Sequence, residues 1–173
     1  MYKNHTFLAV IPARGGSKGI PQKNIVKVLG KPLIQYTIEQ ALSSKYLDKI
    51  IVSTDDEEIA QISKRCGKEV PFIRPEHLAT DRAETIHTLI HAITFYKDKG
   101  QLFDYVVLLQ PTQPLRESWH IDEAIEKIVK HDANELVSIS RVKDHPILIK
   151  QKDENHNLVG ILKDNSTLMR QDF

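Results

Sequence analysis

Short apolar segments that alternate with amphipathic helical patterns constrain the fold of this chain most strongly. Residues 7–11 and 105–109 are apolar throughout, and a continuous run of this kind is typical of a strand that helices cover on both faces. Further runs predict strands over residues 50–52 and 70–73. Apolar residues at helical spacing predict four helices, over residues 32–42, 57–65, 84–97 and 118–131. The alternation predicts an α/β fold with a mainly parallel sheet between two layers of helices.

The predicted helices carry end signals of the expected chemistry. Pro32 begins the first helix, where its missing N–H has no intrahelical partner to lose. Asp55 or Asp56 is expected to cap the second helix, and Gly67 to end it. Ser118 is the expected cap of the fourth helix.

The third predicted helix leaves one alternative open at its start. Thr80 or Asp81 is expected to cap it, but a functional role for Asp81 is equally open. The residues expected to face the core from this helix are Ile86, Leu89, Ile90 and Ile93.

Composition excludes several function classes. The chain has 173 residues, enough for one domain, and a net charge of +1 without a basic tract, which argues against nucleic acid as a partner. It has no apolar run near the roughly 20 residues that span a bilayer, and its first residues lack a signal-peptide pattern. Cys66, the single cysteine, is expected to pack in the protein rather than act as a nucleophile. These features predict a cytoplasmic protein.

A basic, glycine-rich loop follows the first predicted strand. Residues 13–24 read A-R-G-G-S-K-G-I-P-Q-K-N, and the first 38 residues contain no acidic side chain. Backbone N–H groups and fixed cations after a strand suit a phosphate or polyphosphate. The spacing matches neither the Walker A loop nor the dinucleotide fingerprint. The alternative is a flexible surface loop. Its glycines and cations are Gly15, Gly16, Gly19, Arg14, Lys18 and Lys23.

A second candidate loop, residues 110–116 (Q-P-T-Q-P-L-R), comes directly after the other long apolar run. Ligands of open α/β sheets lie outside the carboxyl ends of the strands, so both loops are expected to face one crevice. Gln110 offers a donor and an acceptor to the edge of a base. A rigid turn bounded by Pro111 and Pro114 is the alternative.

Five motifs occur together and in order between residues 7 and 173. They are A-R-G-G-S-K-G-I-P-x-K-N, S-T-D, R-P-x-x-L-A-x-D, L-L-Q-P-T-x-P-L-R and R-Q-D. The set resembles the acylneuraminate cytidylyltransferase family, which comprises CMP-sialic acid synthetases and bacterial nonulosonate relatives. The resemblance implies a Rossmann-like, doubly wound nucleotidyltransferase fold with a hairpin-rich dimerisation excursion. It also implies CMP transfer from CTP to a nine-carbon sugar acid of sialic, legionaminic or pseudaminic type, with Mg²⁺ as cofactor and pyrophosphate as product.

The resemblance also implies roles for individual residues. Arg14 and Lys23 would bind the triphosphate and stabilise charge on the leaving pyrophosphate, and Arg170 would lie near the carboxylate of the sugar acid. Residues 140–162 would form the dimerisation insertion of a homodimer. The residues implied in nucleotide binding are Ala13, Arg14, Gly15, Ser17, Lys23, Asn24, Arg74, Ala83, Thr85 and Gln110.

The chain departs from the family pattern near Phe173. The family continues past R-Q-D with an N-G-x-x-Y segment and a pair of aspartates that hold Mg²⁺, and the 173 residues contain neither. The expectation is therefore one nucleotidyltransferase domain, residues 1–173, that lacks its C-terminal part and has no assigned metal ligand. The acidic run at residues 55–58 is interpreted as a helix start, and His87 with His91 as a surface pair. Gln113 replaces the Ser or Cys common there.

Two other functions fit these features. One is a cytidylyltransferase for an eight-carbon acidic sugar, although the usual loop pattern of that class differs from A-R-G-G-S-K-G-I-P. The other is a remnant that binds nucleotide or dimerises without turnover, which the missing aspartates would favour.

Overall fold

A computed structural model describes residues 1–17, 19–140 and 150–160. The chain divides into two compact units, residues 1–136 and 137–173. The first unit contains strands β1 (Phe7–Pro12), β2 (Lys27–Val28), β3 (Lys31–Pro32), β4 (Lys49–Ser53) and β5 (Tyr105–Leu108). Its helices are α1 (Leu33–Leu42), α2 (Glu57–Arg65), α3 (Thr85–Lys97) and α4 (Ser118–Lys130), with a 3-10 turn at Glu76–Leu78.

The main sheet is parallel, as the alternation of patterns predicted. Its described strands lie in the order β4-β1-β5, with β1 at the centre. Leu8 lies opposite Lys49 of β4 and Val106 of β5. β4 and β5 pair with opposite edges of β1. The strand order therefore reverses between β1 and β5. That point of an open α/β sheet is where ligands bind.

Both faces of β1 are buried in a hydrophobic core. Successive side chains of a strand point to opposite faces, so Phe7, Ala9 and Ile11 join one cluster with α1, α2 and α4. Leu8 and Val10 join a second cluster with α3. The uninterrupted apolar run of β1 therefore has a direct cause, since every one of its side chains packs against a helix layer or a neighbouring strand.

The ends of α1 and α2 confirm the end signals in the sequence. Pro32 directly precedes α1. The carboxylate of Asp56 caps α2 by accepting from the backbone N–H of Ile59 at 2.9 Å. Gly67 follows with a φ of +80°, a conformation that glycine adopts without strain, and so the helix ends where the sequence predicted.

Helix α3 forms where it was predicted, but its cap and its buried face were predicted wrongly. Glu84 is the residue before the helix, and neither Thr80 nor Asp81 caps it. The buried residues are Thr88, Ala92 and Tyr96. Three of the isoleucines expected inside are 41–51% exposed, and they are Ile86, Ile90 and Ile93. Leu89 is half-buried against the second core cluster.

Helix α4 also begins with a different cap from the one predicted. Glu117 precedes the helix, and its backbone N–H donates to Nδ1 of His120 at 3.0 Å. The backbone N–H of Ser118 instead donates to the side chain of Gln40 at 2.9 Å. Since Gln40 belongs to α1, this bond fixes the start of α4 against the neighbouring helix.

Two strand predictions need correction. Residues 70–73 form no regular strand. Isolated parallel bridges pair Glu69 with Ile51 of β4, and Ile73 with Thr54, the residue after β4. Pro71 has no N–H to donate to a ladder, which explains the break. Strand β5 was expected to be covered on both faces, yet its residues are half-buried and Leu108 is 38% exposed, because β5 is an edge strand of the described sheet.

The second unit contains an antiparallel hairpin of β6 (Lys150–Lys152) and β7 (Leu158–Gly160). One carboxylate oxygen of Asp153 accepts from the backbone N–H groups of Asn155 and Asn157 and so stabilises the turn of this hairpin. Residues 136–140 have no regular structure. The rest of the predicted dimerisation insertion, residues 141–149 and 161–162, lies outside the described residues. Within the described part of the chain, every helix is too short or too polar to cross a bilayer.

Candidate functional site

A cavity of about 270 Å³ lies where β1 and β5 end. Both candidate loops contribute to it, so the prediction that they face one crevice is confirmed. The lining residues are Pro12, Arg14, Gly16, Ser17, Lys23, Asn24, Arg74, Leu78, Thr80, Asp81, Ala83, Thr85, Thr88, Gln110, Pro111 and Thr112.

Most residues predicted to bind nucleotide lie together in this wall. They are Arg14, Ser17, Lys23, Asn24, Arg74, Ala83, Thr85 and Gln110. Ala13 and Gly15 do not line the cavity. Ala13 is fully buried in the core, and its N–H extends the β1–β4 ladder by donating to the carbonyl of Ser53 at 3.0 Å. Lys18 and Arg170 lie outside the described residues.

The basic loop after β1 is held in place by two side-chain contacts. The amide of Asn24, which is 6% exposed, donates to the carbonyl of Arg14 at 2.9 Å and so joins the two ends of the loop. The N–H of Gly15 donates to Oδ1 of Asp55 at 3.2 Å. A Cβ at Gly15 would lie 2.6 Å from Oδ2 and 2.9 Å from Cβ of Asp56. The loop can therefore approach α2 this closely only with glycine at that position, and the flexible-loop alternative is not favoured.

Arg74 is a buried cation in the cavity wall, with 5% of its surface exposed. One guanidinium nitrogen donates to the hydroxyl of Thr88 at 3.1 Å, and the other forms an ion pair with Asp55 at 3.3 Å. Burial lowers the pKa of Arg74, and the Asp55 carboxylate acts in the opposite direction. Nε is buried without a hydrogen-bond partner among the described residues. Because a buried N–H without an acceptor is costly, this donor is suited to a ligand.

Arg14 and Asp81 form an ion pair of 2.8 Å at the cavity. Both side chains are partly exposed, at 35% and 43%. Since Asp81 does not cap α3, the functional alternative left open by the sequence is favoured. The carboxylate holds the guanidinium beside the cavity. An anion such as phosphate would compete with it for the same donors.

The loop after β5 is held together by Arg116. Its guanidinium donates to the side chain of Gln113 at 2.6 Å and to the backbone carbonyl of Gln110 at 3.4 Å. Burial lowers the pKa of Arg116. The loop is thus both a braced, proline-containing turn and a wall of the cavity, with Gln110, Pro111 and Thr112 in the lining.

The described residues do not assemble a metal site. Among them there is no group of three or more His, Cys, Asp or Glu side chains that could hold an ion. The carboxylates beside the cavity, Asp55 and Asp81, are each paired with an arginine. His87 is exposed, while the ring of His91 packs edge-on against Phe72 at 4.5 Å. The described residues therefore do not fit Mg²⁺ by themselves.

The sequence assigned no site role to Asp55, although Asp55 is the aspartate of the S-T-D motif. It was expected as a possible helix cap, a role that Asp56 fills. Its position directly past the end of β4, a neighbour of β1, was a signal that could have found it. Thr88 was also missed, because its contact with Arg74 joins elements that are distant along the chain.

Comparison with known proteins agrees with the motifs. A family model described as cytidylyltransferase matches residues 8–168. The CMP-N,N'-diacetyllegionaminic acid synthase of Legionella pneumophila is 43% identical over 152 residues, which cover 88% of this chain and 65% of that protein. The pseudaminic acid cytidylyltransferase of Campylobacter jejuni is 39% identical over 140 residues, which cover 81% of this chain and 60% of that protein.

A solved structure supports the same fold. CMP:2-keto-3-deoxy-manno-octonic acid synthetase, in complex with CTP, matches with a TM-score of 0.63 at 23% identity, over 74% of this chain and 49% of that one. The chain spans less than two thirds of the length of each of these proteins. The family match covers nearly the whole chain, the relatives are about 40% identical, and the resemblance inferred from the motifs is confirmed. This chain belongs to the cytidylyltransferase family.

Proposed function

We propose that the protein transfers CMP from CTP to the anomeric hydroxyl of a nine-carbon sugar acid, with release of pyrophosphate. The observation that carries the proposal is the cavity at the ends of β1 and β5, which is lined by Arg14 and Lys23 from one loop and by Arg74 and Gln110 from others. The cationic side chains of Arg14 and Lys23 suit the negative charge of a triphosphate. The buried N–H donor of Arg74 and the amide of Gln110 suit the polar edge of a base. The relatives support the sugar class, since they are named for legionaminic and pseudaminic acids.

In the proposed reaction the hydroxyl oxygen of the sugar attacks the α-phosphorus of CTP. The new bond joins that oxygen to phosphorus, the bond from phosphorus to the bridging oxygen breaks, and pyrophosphate leaves with the electron pair. The hydroxyl proton passes to solvent or to a base. Arg14 and Lys23 would stabilise the charge that develops on the phosphates, which is the main catalytic term in such a transfer.

The cytosine would be held by the buried part of the wall. The Nε–H of Arg74, which has no hydrogen-bond partner in the described part of the chain, can donate to a ring nitrogen or to the carbonyl of the base. The amide of Gln110 can serve both as donor and as acceptor. Asn24, which joins the ends of the basic loop, would fix the distance between the base and the phosphates.

Four finer elements belong to the same proposal. Arg170 would bind the sugar carboxylate, residues 140–162 would form a homodimer interface, Mg²⁺ would accompany the nucleotide, and the protein would act in the cytoplasm. Mg²⁺ bound to CTP would supply positive charge to the phosphates. Its protein ligands are not among the described residues, so the roles above are assigned to side chains alone.

The proposal is tested by measuring pyrophosphate release from CTP with N-acetylneuraminic, legionaminic, pseudaminic and an eight-carbon sugar acid, each with and without Mg²⁺. Product with a nine-carbon acid is expected. Turnover only with the eight-carbon acid would overturn the sugar class. Calorimetric binding of CTP without any product would overturn catalysis by this chain.

Replacing Arg14 should separate catalysis from folding. Arg14→Ala is expected to lower kcat for pyrophosphate release by about 10²–10³-fold, the usual cost of removing one group that stabilises transition-state charge. Arg65→Ala is the matched control, because Arg65 lies in the last turn of α2 and is exposed. Near-normal turnover by Arg14→Ala would contradict the role given to the basic loop.

A further inference from the structure

We infer that Asp55 is a positioning residue that couples the phosphate-binding loop to the base-binding Arg74. A single oxygen of this side chain, Oδ1, accepts both from the N–H of Gly15 at 3.2 Å and from the guanidinium of Arg74 at 3.3 Å. The inference rests on the proposed function, because it assigns Gly15 to the triphosphate half of the CTP site and Arg74 to the cytosine half.

The backbone around Asp55 leaves this side chain little freedom. Ser53 and Thr54 are fully buried, and the carbonyl of Thr54 accepts from the N–H of Arg74 at 2.7 Å. Arg74 is thus bonded to the end of β4 through its backbone as well as through its side chain. Asp56 lies against Gly15 as well, but its Oδ1 caps α2. Of the two adjacent carboxylates, Asp55 therefore bonds the loop and Arg74, and Asp56 bonds the helix.

Arg74 is oriented from two sides. The side chain of Arg74 is 4% exposed and that of Asp55 is 21% exposed, so their ion pair is largely shielded from water. Thr88 holds the other guanidinium nitrogen. With both ends of the guanidinium fixed, Nε is the donor without a partner among the described residues. Without Asp55, the guanidinium would be held by Thr88 alone and could rotate away from the base.

The coupling acts through Gly15. When phosphates order the basic loop, the N–H of Gly15 is held toward Asp55, and the same oxygen keeps Arg74 in place. Groups that share one partner are not independent, and their coupling commonly reaches severalfold to more than a hundredfold in an equilibrium constant. A residue with a merely structural role would change stability without linking binding of the two halves.

The test uses Asp55→Ala and Asp55→Asn with separate probes for the two halves, cytidine and inorganic tripolyphosphate, each measured by calorimetry. Asp55→Ala is expected to weaken binding of both probes by roughly tenfold. Arg74→Ala should weaken mainly cytidine binding, and Arg14→Ala mainly tripolyphosphate binding. Asp55→Asn keeps an acceptor oxygen and should fold even if Asp55→Ala does not. It is expected to retain tripolyphosphate binding better than cytidine binding, because the lost charge affects the ion pair most.

Amide hydrogen exchange at Gly15 in the ligand-free protein gives a readout that does not depend on the function. Exchange should be roughly tenfold faster in Asp55→Ala, since the N–H loses its acceptor. Glu57→Gln, an exposed change in the first turn of α2, should leave exchange and both affinities unchanged. If the unmodified protein binds neither probe, the proposed function fails, although Gly15 exchange still reports the contact. Unchanged Gly15 exchange in both Asp55 variants, or loss of one probe alone in Asp55→Ala, would overturn the inference.

Discussion

His91 shows how neighbours set the chemistry of a single residue in this protein. Burial lowers the pKa of its imidazole, and electrostatic interactions with Arg74 and His77 lower it further. Nδ1 is buried without a partner among the described residues, and the ring packs edge-on against Phe72. The neutral form of His91 is therefore the form that the folded protein favours.

The lowered pKa of His91 predicts a loss of stability in mild acid. Below about pH 6.5, the usual value for histidine, the unfolded chain binds a proton that the folded protein resists. Where the unfolded state binds more protons, the free energy of unfolding falls as the pH falls. Urea unfolding between pH 8 and pH 5 should therefore show the unmodified protein losing stability relative to His91→Leu.

His87→Leu provides the matched control, because His87 lies one turn earlier on α3 and is exposed. Its stability should keep the pH dependence of the unmodified protein. Parallel curves for the unmodified protein and for His91→Leu would contradict the assigned cause.

At the scale of an element, α3 presents an apolar stripe to solvent and a mixed stripe to the core. Thr88, Ala92 and Tyr96 are 0–4% exposed, whereas Ile90 is 50% exposed. Two contacts fix this rotation of the helix. The hydroxyl of Thr88 accepts from Arg74, and the Tyr96 ring packs edge-on against Phe103 at 5.7 Å.

The rotation of α3 predicts unequal costs for the same substitution on two helices. Ile38→Ala in α1 removes a fully buried side chain and should lower the free energy of unfolding by about 2–5 kcal/mol. Ile90→Ala should cost less than about 1 kcal/mol, since half of that side chain is already in water. Both substitutions change helix propensity equally, so chemical denaturation compares burial alone. Equal costs would mean that the Ile90 face is covered in the protein.

Helices α2 and α3 show which local features a sequence can predict. The bounds of α2 could be predicted because its signals are local, with Asp56 at the start and Gly67 after the end. The buried face of α3 could not be predicted, because the isoleucines of α3 form one stripe at helical spacing and Thr88, Ala92 and Tyr96 form another. The choice between them depends on Arg74 and Phe103, which lie elsewhere in the chain.

At the scale of the whole molecule, the sequence predicts the arrangement of strands and loops, but it does not predict which side chains pair with one another in the site. The apolar runs and the loops after them placed Arg14 and Gln110 at one edge of the sheet, and both line the cavity. The ion pairs of Arg14 with Asp81 and of Arg74 with Asp55 join segments that meet only after folding. Such partners leave no periodic signal. The resemblance therefore implied roles for the two arginines and none for Asp55 and Asp81, although the S-T-D and R-P-x-x-L-A-x-D motifs contain these carboxylates.

The open edge of the sheet gives a prediction within a single strand. β5 pairs with β1 on one side, and the N–H groups of Tyr105 and Leu109 donate toward that side, to Thr6 and Val10. Because N–H groups alternate between the two edges of a strand, those of Val106 and Leu108 point to the other edge, where the described sheet ends.

Amide exchange followed by NMR should therefore alternate along β5. Val106 and Leu108 are expected to exchange roughly 10²-fold faster than Leu109, while β1, which is paired on both sides and buried on both faces, should exchange most slowly. The neighbouring amides of one strand serve as controls for each other, since they share the same local stability. Equal protection of Val106 and Leu109 would contradict the prediction, because it would require a further strand or a partner chain on the outer edge of β5.

An unpaired strand edge is a ready template for such a strand. Protection at Val106 and Leu108 that appears only at high protein concentration would identify a second copy of the chain as the partner.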